Sequence, residues 1–172
     1  LLESRGLGDV YKRQGENTST KSIEKAKEIF KISGSSIVTV NKEIDGFILN
    51  RLQGALLNEA MRLYSEGYAS SEDIDATIKD GLGLRWAFMG PFETIDLNAP
   101  GGIKDYMARY GSIFIEMAKS QTKIPDWSEN AGKKLELERR KVLSEDDLEK
   151  RAKKRNFLLK QLRKLKIDND ET

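Results

Sequence analysis

The chain has 172 residues, enough for one domain or one and a half, with 38% hydrophobic and 34% charged residues, mean hydropathy −0.59 and a formal net charge of +2. That balance is too apolar for a wholly disordered chain, and no apolar run approaches the roughly 18 to 20 residues of a membrane-spanning helix. With no cysteine and no histidine, disulfide scaffolds, thiol catalysis, the usual zinc sites and histidine-based nucleophile systems are excluded, and the commonest general base at neutral pH is missing. An enzyme built on this chain must take its base from outside it.

The string Asp9-Val10-Tyr11-Lys12-Arg13-Gln14 resembles the in-frame translation of a transposon-end sequencing adapter. Residues 1–14 are therefore expected to be an artefact of that kind, or a disordered terminus. From Thr18 the chain becomes orderly. Ile23, Ala26, Ile29 and Phe30 recur at helical spacing, with Thr18 or Thr20 as N-cap and Gly34 as stop. Ile37-Val38-Thr39-Val40 then reads as a short strand, or as an extended linker. Everything after it reads as helix, so such a strand has no partner in the chain. Lone strands leave backbone groups unpaired, and a helix and strand followed only by helices is what an α/β domain cut before its last unit leaves behind.

The spacing predicts a helix over 44–66, with Asp45 as its cap and apolar residues on two faces (Ile44, Ile48, Leu52 and Leu56 among them on one, Leu57, Met61 and Tyr64 on the other). A helix apolar nearly all round is expected to be central and buried. Asn50 lies on the second face, one turn from Gly54. It is either a structural amide bridging two helices or a site residue, because a buried amide must find partners and the glycine permits close approach.

Gly67 precedes Ser70-Ser71-Glu72-Asp73-Ile74-Asp75, a capped helix start that is expected to end at Gly81-Leu82-Gly83. No strand precedes that glycine pair and Trp86 stands where a third glycine would be needed, so it is not a nucleotide loop. Arg85 is either a solvated or capping residue or a two-pronged clamp for a carboxylate or phosphate. Another helix runs from Glu93 to Leu97 and is broken by Asn98-Ala99-Pro100-Gly101-Gly102. The stripe of Ile103, Tyr106, Met107, Tyr110, Phe114 and Met117 that follows reads as core.

Residues 130–172 carry 14 Lys/Arg and 9 Asp/Glu, against 16 and 19 in residues 1–129. Ser144 with Asp147 marks a capped start, and Leu148, Ala152, Leu159, Leu162 and Leu165 form a thin seam among basic residues. This is a solvated helix resting one edge on the domain or on a partner subunit, with an acidic frayed end over 167–172. The alternative from another class is a helical interaction or nucleic-acid module using the basic helix, for which a salt-dependent gel shift abolished by neutralising Lys153, Lys154 and Arg155 would speak.

The run Lys42-Glu43-Ile44-Asp45-Gly46-Phe47-Ile48-Leu49-Asn50-Arg51-Leu52 resembles the start of the C-terminal domain of the 3-hydroxyacyl-CoA dehydrogenase superfamily. The match continues in order through Glu66-Gly67, Asp73-Ile74-Asp75, Gly81-Leu82-Gly83-Leu84-Arg85 and Gly90-Pro91-Phe92. Gly83 to Pro91 with Asp96-Leu97-Asn98, and the tail with Ile124-Pro125-Asp126-Trp127, are most similar to the L-gulonate 3-dehydrogenase (λ-crystallin) branch. One departure is Asp45, where the family usually has proline. The resemblance covers about residues 15–165.

It implies a mainly α fold, the helical substrate and dimerisation domain over 42–166, preceded at 15–41 by the last helix and strand of a Rossmann-type NAD-binding domain. The catalytic histidine, its glutamate partner and the glycine-rich loop belong to that other domain, so NAD is expected to bind there and this chain alone to be inactive. The family's helix asparagine carries over to Asn50, which would position the reactive oxygen and the imidazole. Arg85 would hold the carboxylate of a small hydroxy acid such as L-gulonate, and would be structural if the substrate is a 3-hydroxyacyl-CoA. The resemblance further implies a homodimer and a cytoplasmic location, with no metal, nucleic acid or membrane as partner.

Overall fold

The computed structural model describes residues 19–32, 38 and 40–169. Every regular element among them is helical. Eight α-helices run in chain order: α1 (Thr20–Ile32), α2 (Phe47–Ser65), α3 (Ser71–Ala76), α4 (Gly83–Trp86), α5 (Pro91–Leu97), α6 (Gly102–Ser120), α7 (Glu129–Val142) and α8 (Leu148–Asn169). A π-helical turn, Thr77–Leu82, joins α3 to α4. The chain divides into two units, Leu1–Arg51 and Leu52–Thr172, and α2 runs across the division.

Local chemistry explains several helix ends. Before α1, Ser19 Oγ accepts the Ser22 N–H at 3.2 Å, so Ser19 caps the helix where Thr18 or Thr20 was expected; Thr18 itself lies outside the described residues, as do Gly34 and residues 1–14. Of the expected strand, Ile37 and Thr39 also lie outside them, while Val38 and Val40 are in irregular backbone. The second helix begins at Phe47, three residues later than its apolar period suggested. Ile44–Phe47 is a turn closed by the Phe47 N–H on the Ile44 carbonyl at 3.0 Å, with Gly46 at φ +82°. That φ at the third position is what a type II turn demands, and the second position, held by Asp45, is where such turns favour proline. Asp45 is thus a turn residue rather than a cap.

The C-terminus of α2 is a Schellman motif: the Tyr68 N–H reaches the Leu63 carbonyl at 2.9 Å and Gly67 N–H that of Tyr64 at 3.1 Å, with Gly67 at φ +78°. Ser70 caps α3 as its sequence suggested, accepting the Asp73 N–H at 3.1 Å. Ser128 does the same for α7 through the Ala131 N–H. That helix is a separate element which the composition shift at residue 130 had concealed.

Several contacts hold elements of the second unit together. The Ser71 N–H and hydroxyl both donate to Glu138 Oε1 at 2.7 Å, and Arg139 pairs with Asp75 at 3.3 Å, so α7 grips the first turns of α3. Between α5 and α6, Ala99 is buried in the connecting loop, and Asp96 Oδ1 accepts the Ile103 N–H at 2.6 Å. This gives α6 a capping side chain from a neighbouring helix. The loop after α6 returns to α2, where Trp127 Nε1–H donates to Asn58 Oδ1 at 3.0 Å.

Burial departs from the periodicity. In α2 only Met61 is buried, and Leu52 is 60% exposed; in α6 the stripe expected as core leaves Met107 63% and Phe114 49% exposed. A period identifies which face is apolar, not whether this chain supplies what covers it. The rings of that stripe still touch one another, Tyr106 and Tyr110 at 4.8 Å between centroids. The last helix continues to Asn169, beyond the expected fraying point at 167. No helix among the described residues is long and apolar enough to cross a membrane.

Candidate active-site residues

Asn50 stands in the first turn of α2, in the first unit, with its side chain exposed. The chain enters that turn in an unusual conformation, because Phe47 itself has φ +47°. For a bulky residue a left-handed φ costs on the order of 1–3 kcal/mol and persists only where its surroundings impose it. Gly46 is equally constrained. Its φ is left-handed, and a Cβ there would lie 3.5 Å from Arg51 and 3.9 Å from Asn50. The Gly46-Phe47 pair therefore fixes the direction in which α2 starts, and with it the placement of an asparagine three residues on.

Arg85 belongs to the second unit, on the single turn of α4, and its side chain is exposed. No carboxylate pairs with it among the described residues. Two other arginines of the unit, Arg62 and Arg109, do have such partners, whereas Arg140 has none for its buried Nε and Nη1 among those residues. Arg62 is held between Glu59 and Glu66, which keeps the Glu59 carboxyl below its ordinary range, and Arg109 bonds Asp105 at 2.7 Å. The neighbours of Arg85 are apolar and open to solvent: Leu84, Trp86 and Phe88 are each more than a third exposed. An unpaired guanidinium set among accessible apolar groups can take a carboxylate in a two-pronged, charge-assisted bond.

The turn carrying Arg85 is the feature that sequence reasoning misread. Gly81-Leu82-Gly83 does not end a helix. Its residues pass from the π turn into α4, and the Gly83 N–H donates to the Ile78 carbonyl five residues back. Glycine, a usual helix terminator, here accommodates the wide turn instead. Asp96, Ser71 and Glu138 also escaped the sequence reading. Glu138 is legible only in three dimensions, 67 residues from Ser71; the Ser71 hydroxyl, followed by its N–H, holds the Glu138 carboxyl below its ordinary value. Burial pushes the Tyr64 phenol upward and the nearby Glu138 carboxylate adds to the effect, although no hydrogen bond of sound geometry reaches the Tyr64 hydroxyl.

A dinucleotide needs a strand, a glycine-rich turn and a helix N-terminus to receive its pyrophosphate. The described residues do not fit one: their only close glycine pair before Gly101-Gly102 straddles the end of the π turn and the start of α4, and the Gly83 N–H is committed to the Ile78 carbonyl. Nor do they hold any group of three or more acidic side chains arranged for a metal ion.

Comparison with known proteins places these features in context. The chain matches the family model of 3-hydroxyacyl-CoA dehydrogenase, C-terminal domain, over residues 46–157. It is 41% identical over 151 residues to lambda-crystallin of Oryctolagus cuniculus, covering 87% of this chain and 47% of that protein. To the lambda-crystallin homolog of Homo sapiens it is 35% identical over the same length and shares. Against L-carnitine dehydrogenase of Pseudomonas putida it is 42% identical over 98 residues, 56% of this chain and 30% of that enzyme. The chain spans about half the length of the lambda-crystallins it matches. The helical architecture, the turn that launches α2 and the ordered match from residue 46 to 157 together show that the chain belongs to the 3-hydroxyacyl-CoA dehydrogenase family, as its C-terminal domain.

Proposed function

We propose that this chain is the substrate-side part of an NAD-dependent dehydrogenase that oxidises the 3-hydroxy group of a small hydroxy acid resembling L-gulonate. The observation that carries the choice of substrate is Arg85, exposed and unpaired on α4 amid accessible apolar side chains. A 3-hydroxyacyl-CoA thioester offers no carboxylate near its reacting carbon, and an arginine there would have nothing to bind. In this reading NAD would be held by a nucleotide-binding domain outside residues 42–166 and would supply the hydride acceptor.

The contribution of this chain is positioning. Asn50 donates an amide N–H to the substrate oxygen and accepts from the imidazolium of the other domain, so that the alcohol lies in line as its C–O bond becomes a carbonyl. Arg85 is the group that would bind the substrate's carboxylate. Neither group takes the proton: an amide is no base at neutral pH and a guanidinium is fully protonated. Two copies associate through the helical domain, covering apolar residues of α6 that the single chain leaves open, such as Met107 and Phe114. A cytoplasmic location fits this chemistry.

The test is steady-state kinetics in the two-domain enzyme. Arg85→Leu raises KM for L-gulonate by about tenfold to a hundredfold, the loss of a charge-assisted bond, while Asn50→Ala lowers kcat with little change in KM. An unchanged KM in Arg85→Leu refutes the hydroxy-acid reading.

A further inference from the structure

The segment from α3 to α4 is helical throughout, yet its middle is not α. Thr77–Leu82 closes with bonds five residues apart rather than four, and the Gly83 N–H on the Ile78 carbonyl is the last of them. A π turn is one residue wider than an α turn, so everything beyond it is displaced around the axis by about 100° relative to an unbroken α-helix. The displacement has to emerge downstream. Upstream, α3 cannot rotate, since Ser71 is held by Glu138 and Asp75 by Arg139 of α7. Three residues beyond the π turn stands Arg85.

Gly83 is what permits the wide turn. A Cβ built on it would sit 2.9 Å from the oxygen of Ile78 and 3.8 Å from its carbonyl carbon. That oxygen is the acceptor of Gly83's own N–H, and being backbone it cannot swing aside as a flexible side chain would. At Gly81, by contrast, a Cβ would meet nothing within 4 Å. The Thr77 hydroxyl donates at 2.8 Å to the Asp73 carbonyl, which also receives the Thr77 N–H, where the widening begins.

We propose that Gly83 is a positioning residue for Arg85: by having no side chain it sustains the π turn whose extra width aims the guanidinium at the substrate's carboxylate. This rests on the hydroxy-acid reading above. With alanine at 83 the Ile78 bond breaks, the N–H moves to the Lys79 carbonyl, and Arg85 turns away without any change in its own chemistry.

The experiment compares Gly83→Ala, Gly81→Ala, Arg85→Leu and the Gly83→Ala/Arg85→Leu double variant in the two-domain enzyme, with L-gulonate and its uncharged amide as substrates. Gly83→Ala is expected to raise KM for the acid about tenfold, leave kcat within about threefold and leave KM for the amide unchanged. Gly81→Ala is expected to do nothing, and the double variant to be no worse than Arg85→Leu alone. If Arg85→Leu raises KM but Gly83→Ala does not, or if Gly81→Ala matches Gly83→Ala, the positioning role is overturned while the substrate reading stands. If Arg85→Leu itself has no effect, the substrate reading fails and takes this proposal with it. Should Gly83→Ala not fold, the unmodified 172-residue chain still decides: NMR coupling across the hydrogen bond from Gly83 nitrogen must lead to the Ile78 carbonyl, and coupling to Lys79 instead overturns the proposal.

Discussion

Gly102→Ala is expected to destabilise the second unit through two separable effects. Gly102 has φ +71°, a conformation that costs an L-residue about 1–2 kcal/mol. A Cβ there would also come within 2.7 Å of Asp96 Oδ1, the atom that receives the Ile103 N–H at 2.6 Å. Displacing the carboxylate removes the cap of α6, worth about 1 kcal/mol. The smaller entropy of the unfolded alanine chain returns about 0.4–1 kcal/mol. The net loss is about 2 kcal/mol, or a fall in Tm of about 4–8 °C for a chain of this size. Urea denaturation of the chain and of Gly102→Ala, Asp96→Ala and the double variant measures it. Because the cap can be lost only once, the double variant is expected to fall short of the sum of the singles by about 1 kcal/mol. Strict additivity, or a Gly102→Ala loss below about 0.5 kcal/mol, would refute the shared-atom argument.

The Ser71–Glu138 contact predicts a pH dependence. The folded Glu138 carboxyl is held below its ordinary 4.5 by the Ser71 hydroxyl and N–H, so its stabilisation is complete above that value and is lost as pH falls through the lower, folded one. Ser71→Ala is expected to flatten the loss of stability below pH 4.5 in thermal melts, and an acid limb identical to wild type would contradict it. For the proposed dimer, sedimentation of the chain at micromolar concentration is expected to show two copies, and Phe114→Glu a monomer with helical content intact; a monomeric wild type removes the interface assigned to α6. In the two-domain enzyme, the kinetic effects expected of Arg85→Leu and Asn50→Ala separate binding from chemistry, KM moving with the first and kcat with the second.

Much of the helical framework could be read from residue order. Ser70 before an acidic turn and Gly67 after an apolar run act within a few residues of themselves, and each does locally what its chemistry suggests, whereas α5 starts at Pro91, two residues ahead of the Glu93 expected from the sequence. Readings failed where the decisive partner lay elsewhere. Asp45 looked like a cap because both roles suit an acid, and only the closed Ile44–Phe47 turn distinguishes them. Gly81-Leu82-Gly83 looked like a stop because glycine usually ends helices; its role in a wide turn depends on the carbonyl of Ile78. The stripe of α6 was correctly apolar and incorrectly buried.

The amino-acid order by itself determined that this protein is mainly helical, where several of its helices lie and, through an ordered series of short motifs, the family to which it belongs. These follow from side chains acting on backbone groups one turn away. Tertiary structure decided that α7 grips α3 through Glu138, that Asp96 caps a helix other than its own, and which apolar faces stay open. A hydrogen bond between residues 67 apart leaves no trace in a period of 3.6, and exposure depends on what the rest of the chain brings against a face.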